Sequence, residues 1–267
     1  MSAVLCFDLE TIPDVRGLRR IHGLPDDLPD DEVAQWAFQK ARSRNGSDFL
    51  PLHVQRVIVI SCALRSSEGF TVWSLAEPCL RETDIIARFF RGIERYTPQL
   101  VSWNGGGFDL PVLHYRGLIH GVDASRYWEM GEGDDRDAKA FKWNNYISRY
   151  HTRHLDLMDL LALYQPRAYA PLDELAQLMG LPGKLGMNGG AVWQAWCEGR
   201  MDEIRDYCET DVVNTYLVYL RFQKMRGQMS AQSHDQECSQ VRDYLLGLDK
   251  PHWRAFVDAW PRTGDLA

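Results

Sequence analysis

The sequence predicts an α/β domain, a mixed central sheet flanked by helices. Three observations predict it: three β-type runs in close order near the N-terminus, alternating helix and strand patterns after them, and one long helical segment towards the C-terminus. Val4 to Glu10 is the first run and ends before Pro13. Val57 to Leu64 and Phe70 to Leu75 follow, separated by the turn-forming Ser66-Ser67-Glu68-Gly69, and runs at this spacing predict an antiparallel meander. Asp84 to Tyr96 puts Ile85, Ile86, Phe89, Phe90 and Ile93 at helical spacing. Gln99 to Trp103 reads as a buried strand and Leu110 to Leu118 as a helix after a glycine-rich turn. A further strand is expected at His154 to Leu157, then helices at Met158 to Tyr164 and Pro171 to Met179, the latter opened by Pro171 and closed by Gly180. Arg200 to Lys224 reads as one long helix, with shorter ones at Gln240 to Leu248 and His252 to Trp260.

Residues 14–55 do not fit the sheet. They carry Pro25, Pro29 and Pro51, an acidic stretch from Asp26 to Glu32, a helical piece at Val33 to Arg42 and a loop-like Ser43 to Ser47. The expectation is one domain over 1–267, with an insertion at 14–55 packed on its edge and a helical extension at 227–267.

With 267 residues, 45% of them hydrophobic, the chain can bury a proper core, which excludes disorder, a coiled coil or a collagen-like fibre. No apolar run approaches the roughly 20 residues of a membrane helix, and Met1-Ser2-Ala3-Val4 lacks the basic start of a secretory signal, so a cytoplasmic protein without membrane partners is expected. A net charge of −7 argues against broad electrostatic binding to nucleic acid. The six cysteines are scattered, with no zinc spacing, and read as reduced thiols.

Asp8-Leu9-Glu10 lies at a strand end, where the period of two sends both carboxylates to one face and Leu5, Phe7 and Leu9 to the other. Two anions in an apolar strand are costly unless a cation binds, although a wet strand end would also accommodate them. Asn104-Gly105-Gly106-Gly107-Phe108-Asp109 follows a later strand; its glycines permit close backbone approach, and Asp109 opens a helix, where a simple N-cap is the plain alternative. The spacing is not that of a dinucleotide-binding loop. Tyr207 and Asp211 stand one turn apart on the long helix, against the plain reading of a core tyrosine beside a surface acid.

Taken together, Asp8 and Glu10, Asn104 with Phe108-Asp109, and Tyr207 with Asp211 resemble the three motifs of the DEDD superfamily of 3′-5′ exonucleases in its tyrosine (DEDDy) branch. The resemblance is closest to the bacterial predicted exonucleases related to the proofreading domain of family B DNA polymerases. His154-Leu155-Asp156-Leu157-Met158-Asp159 adds to it, and it covers about residues 4–226. It implies a ribonuclease H-like fold with a mixed five-stranded sheet, and Asp8, Glu10, Asp109 and Asp211 as ligands of two Mg²⁺ or Mn²⁺ ions, hard cations suited to oxygen donors. Tyr207 would orient the attacking water and Glu10 would lie near the terminal 3′-hydroxyl.

The implied activity is metal-dependent trimming of single-stranded DNA or RNA from its 3′ end. A nuclease-derived binding module without catalysis and a short-oligonucleotide phosphodiesterase are the alternatives. Asn104 and Phe108 are candidate substrate contacts. So are Arg149 and Arg153, within a stretch from Arg136 to His154 where Lys139, Lys142 and other cations interleave with Phe141, Trp143, Tyr146 and Tyr150, a composition suited to tracking a single strand. Asp156 and Asp159 read as helix-capping residues, with Asp156 near enough to the cleft to support it.

Overall fold

The computed structural model describes residues 3–133 and 136–261. Its elements in order are β1 (Val4–Pro13), α1 (Val15–His22), α2 (Asp30–Asn45), β2 (Gln55–Ser66), β3 (Gly69–Ala76), α3 (Glu82–Tyr96), β4 (Gln99–Ser102), α4 (Asp109–His120), α5 (Arg136–Phe141), β5 (His154–Asp156), α6 (Leu157–Leu161), α7 (Leu172–Leu178), α8 (Val192–Cys197), α9 (Met201–Met225), α10 (Ala231–Gly247) and α11 (Pro251–Asp258). The strands form one five-stranded sheet in the order β3-β2-β1-β4-β5. β1, β2 and β3 pair antiparallel, as the meander reading expects, while β4 and β5 run parallel to β1. This is the mixed α/β sheet flanked by helices.

Period-two alternation divides β1 between two cores. Leu5, Phe7 and Leu9 pack with Ile85, Phe89 and Leu113 of α3 and α4. Cys6 faces the other way with Val101 and Leu155, under Val212, Val213 and Tyr216 of α9. Helices on both faces account for the run Val57 to Leu64 of β2, apolar but for Ser61, where both alternation sets are buried. A bulge between Glu10 and Thr11 interrupts the β1–β2 register at the carboxylate end of β1.

Several elements differ from the sequence expectations. Residues 14–55 hold two helices, not one. α1 escapes the periodicity because only Val15 and Leu18 are buried, and it starts where Asp14 accepts from Gly17 N at 2.9 Å. These helices share a core of Val15, Leu18, Val33, Ala37, Leu50 and Val54. Arg116 on α4 pins them to the sheet domain, meeting Asp14 at 2.6 Å and Glu82 in a two-pronged pair. β5 is only three residues long. α10 begins at Ala231, well before Gln240, because its first turns are mostly polar and bury only His234. Of the C-terminal extension, residues 262–267 lie outside the described residues.

The stretch from Arg136 to His154 is not one continuous face of cations and rings. Phe141 and Tyr146 are core residues, packed among the α3 and α4 side chains, and only Trp143 and Tyr150 among its rings stand exposed. No helix among the described residues is long and apolar enough to cross a membrane.

Candidate active site

The strand-end pair, the loop after β4 and the long helix converge. β1 carries Asp8 and Glu10 on the face turned towards α9, and Cys208 of α9 donates its thiol to Asp8 O and Oδ2, each at 3.5 Å. Tyr207 and Asp211, one helical turn apart, are 4% and 5% exposed, so the surface-acid alternative falls. Asp109 is 3% exposed at the first residue of α4. The helix has no side-chain cap, and Asp109 Oδ1 has no hydrogen-bond partner among the described residues, which removes the N-cap reading.

The loop that delivers Asp109 is shaped by close approach. A Cβ on Gly105 would lie 2.3 Å from Ser102 Oγ and 2.5 Å from Ser102 Cβ, so that position requires glycine in this conformation, while one on Gly107 would displace the Asn104 side-chain amide from 2.4 Å. Asp156 holds the loop from the β5 side, accepting from Asn104 N at 3.0 Å and Gly106 N at 2.8 Å while capping α6 through Asp159 N. Asn104 itself sits at φ 66° and its carbonyl accepts from Gly107 N and Phe108 N, so it builds the turn. The Phe108 ring is partly buried and lies 5.6 Å from that of Phe49, contributed by the 14–55 segment.

Four carboxylates in one enclosed place repel each other. Burial, then repulsion from Asp211, pushes Asp8 up to about 7. Burial and then Asp8 hold Glu10 and Asp109 well above the usual carboxylate range. Burial also raises Asp211, although Lys184 and the Tyr207 hydroxyl favour its charged form. The Tyr207 phenol is driven up by burial and then by Asp211, Glu10 and Asp8. Burial raises Cys208 as well, so that side chain is a thiol donor and not a thiolate ligand.

Lys184 escapes the sequence reading. Its Nζ lies 3.3 Å from Asp211 Oδ2, donates to the Tyr207 hydroxyl and sits 4.9 Å from the centre of that ring. Its backbone N–H donates to Asp173 at 2.6 Å, and Asn214 of α9 donates to the carbonyl of Gly183 next to it, so α7 and α9 both fix the loop that carries it. The available signal is slight: Lys184 is the sole charged residue between Glu174 and Glu198, in a glycine-rich loop without periodicity.

The site residues fit hard divalent cations. Asp109 Oδ1 and Asp211 Oδ1 are both buried without hydrogen-bond partners among the described residues, and a desolvated carboxylate oxygen without a donor is costly unless a cation completes it. Ligand atoms of Asp8 and Glu10 lie within 4.8 Å of each other. One lysine against four acids leaves a negative surplus for metal to offset, and an all-oxygen set of this kind suits Mg²⁺ or Mn²⁺ better than zinc.

The two arginines expected to contact substrate are engaged within the protein. Arg149 makes a two-pronged pair with Asp159, and its guanidinium lies 4.9 Å from the Tyr164 ring centre. Arg153 donates to Asn144 O at 2.6 Å and lies 3.9 Å over the Phe141 ring, so it covers the core.

Comparison with known proteins gives the chain relatives in sequence and in fold. Over 146 residues, 53% of its length, the chain is 25% identical to the catalytic subunit of DNA polymerase epsilon from Saccharomyces cerevisiae, covering 6% of that protein. It is 22% identical over 152 residues, 56% of its length, to a DNA polymerase of Archaeoglobus fulgidus, covering 18% of it. The chain therefore spans less than a fifth of either relative. Its fold resembles part of the family B DNA polymerase from Pyrobaculum calidifontis, with a TM-score of 0.50 and 18% identity over 92% of this chain and 29% of that one. Residues 47–260 match the family described as predicted 3′-5′ exonucleases related to the exonuclease domain of PolB, a stretch that holds Asp109, Lys184, Tyr207 and Asp211 and begins after Asp8 and Glu10. On that match, the chain belongs to the family of predicted 3′-5′ exonucleases related to the exonuclease domain of PolB.

Proposed function

We propose that the chain is a metal-dependent 3′-5′ exonuclease acting on single-stranded DNA or RNA ends, with residues 14–55 as an insertion and 227–267 as an extension of one exonuclease domain. The observation that carries this reading is the pair of buried carboxylate oxygens of Asp109 and Asp211 that have no partner among the described residues, beside Asp8 and Glu10. Those four side chains would hold two Mg²⁺ or Mn²⁺ ions. When bound, such ions supply charge neutralisation at the scissile phosphate and a more acidic water.

The protein's own groups do the rest. Tyr207 is a poor general base, since its phenol is raised above an already high ordinary value. Its hydroxyl instead orients a water by hydrogen bonding, and Lys184, which donates to that hydroxyl and pairs with Asp211, fixes its direction. Lys184 also places a positive charge where the phosphate's developing charge needs one. Glu10, at the bulged end of β1, would receive the terminal 3′-hydroxyl. Asp156 keeps the 104–109 loop, and so Asp109, in place.

Digestion of 5′-labelled single-stranded DNA and RNA with Mg²⁺, Mn²⁺ or EDTA, by wild type and Asp8→Ala, tests the proposal. A ladder shortening from the 3′ end only with metal and intact Asp8 is expected. Equal activity in the variant, or internal cuts, would overturn it.

A further inference from the structure

Beside the catalytic loop lies a cleft of about 530 Å³, with Asn104, Gly106 and Gly107 on one wall. Tyr164, in the turn that follows α6, also lines it. Leu163 and Tyr164 there adopt φ of 50° and 61°, two successive non-glycine residues in the left-handed region, each costing about 1–2 kcal/mol. Leu163 gains no burial from this, being 71% exposed. What the turn achieves is the placement of the Tyr164 ring in the cleft wall. There the Tyr150 ring meets it edge-on at 5.1 Å, and the Arg149 guanidinium lies against it. Tyr150 is 72% exposed, so core packing does not explain it.

Arg149 is not a free charge, because Asp159 takes it in a two-pronged pair and Tyr169 donates to the same carboxylate at 2.9 Å. A neutralised guanidinium attracts phosphate weakly but keeps a flat face. The mouth of the cleft therefore offers rings and a planar cation pair, a surface suited to stacking and poor in net charge.

We propose that Tyr150 and Tyr164, with Arg149 laid against Tyr164, form a stacking site for unpaired bases of the strand whose 3′ end reaches the carboxylates. The assignment of the strand's direction rests on the exonuclease reading; the stacking itself does not. Bases in a duplex present no free face to such a site, so it selects single strands. It is tolerant of sequence, and its contribution changes little with salt because no phosphate charge is neutralised there.

Fluorescence anisotropy tests this with a labelled twelve-nucleotide oligothymidylate in Ca²⁺, using wild type, Tyr150→Ala, Tyr164→Ala and the corresponding phenylalanine variants. Each alanine change should weaken binding roughly 5- to 100-fold, the worth of one stacked base, with phenylalanine restoring it and the salt slope unchanged. An abasic residue scanned along the 3′ half should reproduce the loss at one or two positions. Tyr150 is a surface side chain, so its variant carries the test even if Tyr164→Ala folds poorly. Wild-type affinity in Tyr150→Ala, a flat abasic scan, or no binding by wild type would overturn the stacking site. If 3′ trimming in Mg²⁺ persists while the tyrosines prove irrelevant, the exonuclease reading stands alone. Tyrosine-dependent binding without any trimming would leave the stacking site and remove the nuclease.

Discussion

In EDTA the four carboxylates have, among the described residues, Lys184 alone beside them as a cation, and Asp8 shows what the remaining surplus costs. Its pKa is raised from 3.8 to about 7, chiefly by burial and by Asp211. The folded value lies above the unfolded one, so the folded chain binds the extra proton more tightly. Stability from this group is intact below about pH 4 and is lost as pH rises through 7. At pH 8 the loss amounts to roughly 4 kcal/mol, at 1.36 kcal/mol per pKa unit. Asp8→Asn keeps the side chain's shape and removes the charge. In EDTA at pH 8 the variant should be more stable than wild type by about 2–4 kcal/mol, a rise of several degrees in melting temperature for a chain of this size. The difference should vanish near pH 4. Millimolar Mg²⁺ or Mn²⁺ should then stabilise wild type strongly and the variant little. Urea unfolding at the two pH values, with and without metal, measures all of this. A variant less stable than wild type at pH 8, or a difference independent of pH, would refute the reasoning.

Three further outcomes follow from the same geometry. Tyr207→Phe should keep the metal-induced rise in melting temperature while losing roughly 10- to 100-fold in turnover, and unchanged turnover would remove the hydroxyl from the mechanism. Lys184→Met should lower turnover by a similar factor yet lower the metal concentration for half-maximal activity, because a cation 3.3 Å from Asp211 no longer competes for it; a metal titration of the rate checks both. Burial disfavours the charge on His252, but its hydrogen bonds to Asp206 and Glu209 outweigh this and raise its pKa. This contribution is full below about pH 6.5 and is lost as pH rises through the raised value, so His252→Ala should cost about 1–3 kcal/mol at pH 6 and much less at pH 9, read by urea unfolding.

Three of the four carboxylates, Asp8, Glu10 and Asp211, stood out in the sequence because periodicity describes their setting, whereas Asp109, after a glycine-rich turn, stood out only in the joint pattern. Asp8 and Glu10 interrupt an apolar strand at spacing two, and Tyr207 and Asp211 share one face of a long helix. Lys184 had no such setting. Its place depends on bonds from Asp173 and Asn214, which come from two separate helices, and no local pattern announces them. The Arg136 to His154 stretch was only partly legible for a related reason. Composition does not say which rings are covered, and Phe141 and Tyr146 turned inward beneath Arg153 while Tyr150 stayed out. Tyr164 was hidden altogether, since backbone angles of 50° and 61° at Leu163 and Tyr164 leave no trace in residue type. The net charge of −7 is likewise a poor guide to the cleft, because a sum over the chain does not say that four acids are gathered in one buried place.

The most direct test of the account counts cations at those acids. Mn²⁺ binding followed by electron paramagnetic resonance should give two tightly held ions per wild-type chain, and at most one in Asp109→Asn, where an unpartnered carboxylate oxygen has become an amide. No tight Mn²⁺ in wild type, or the same count in both proteins, would contradict it.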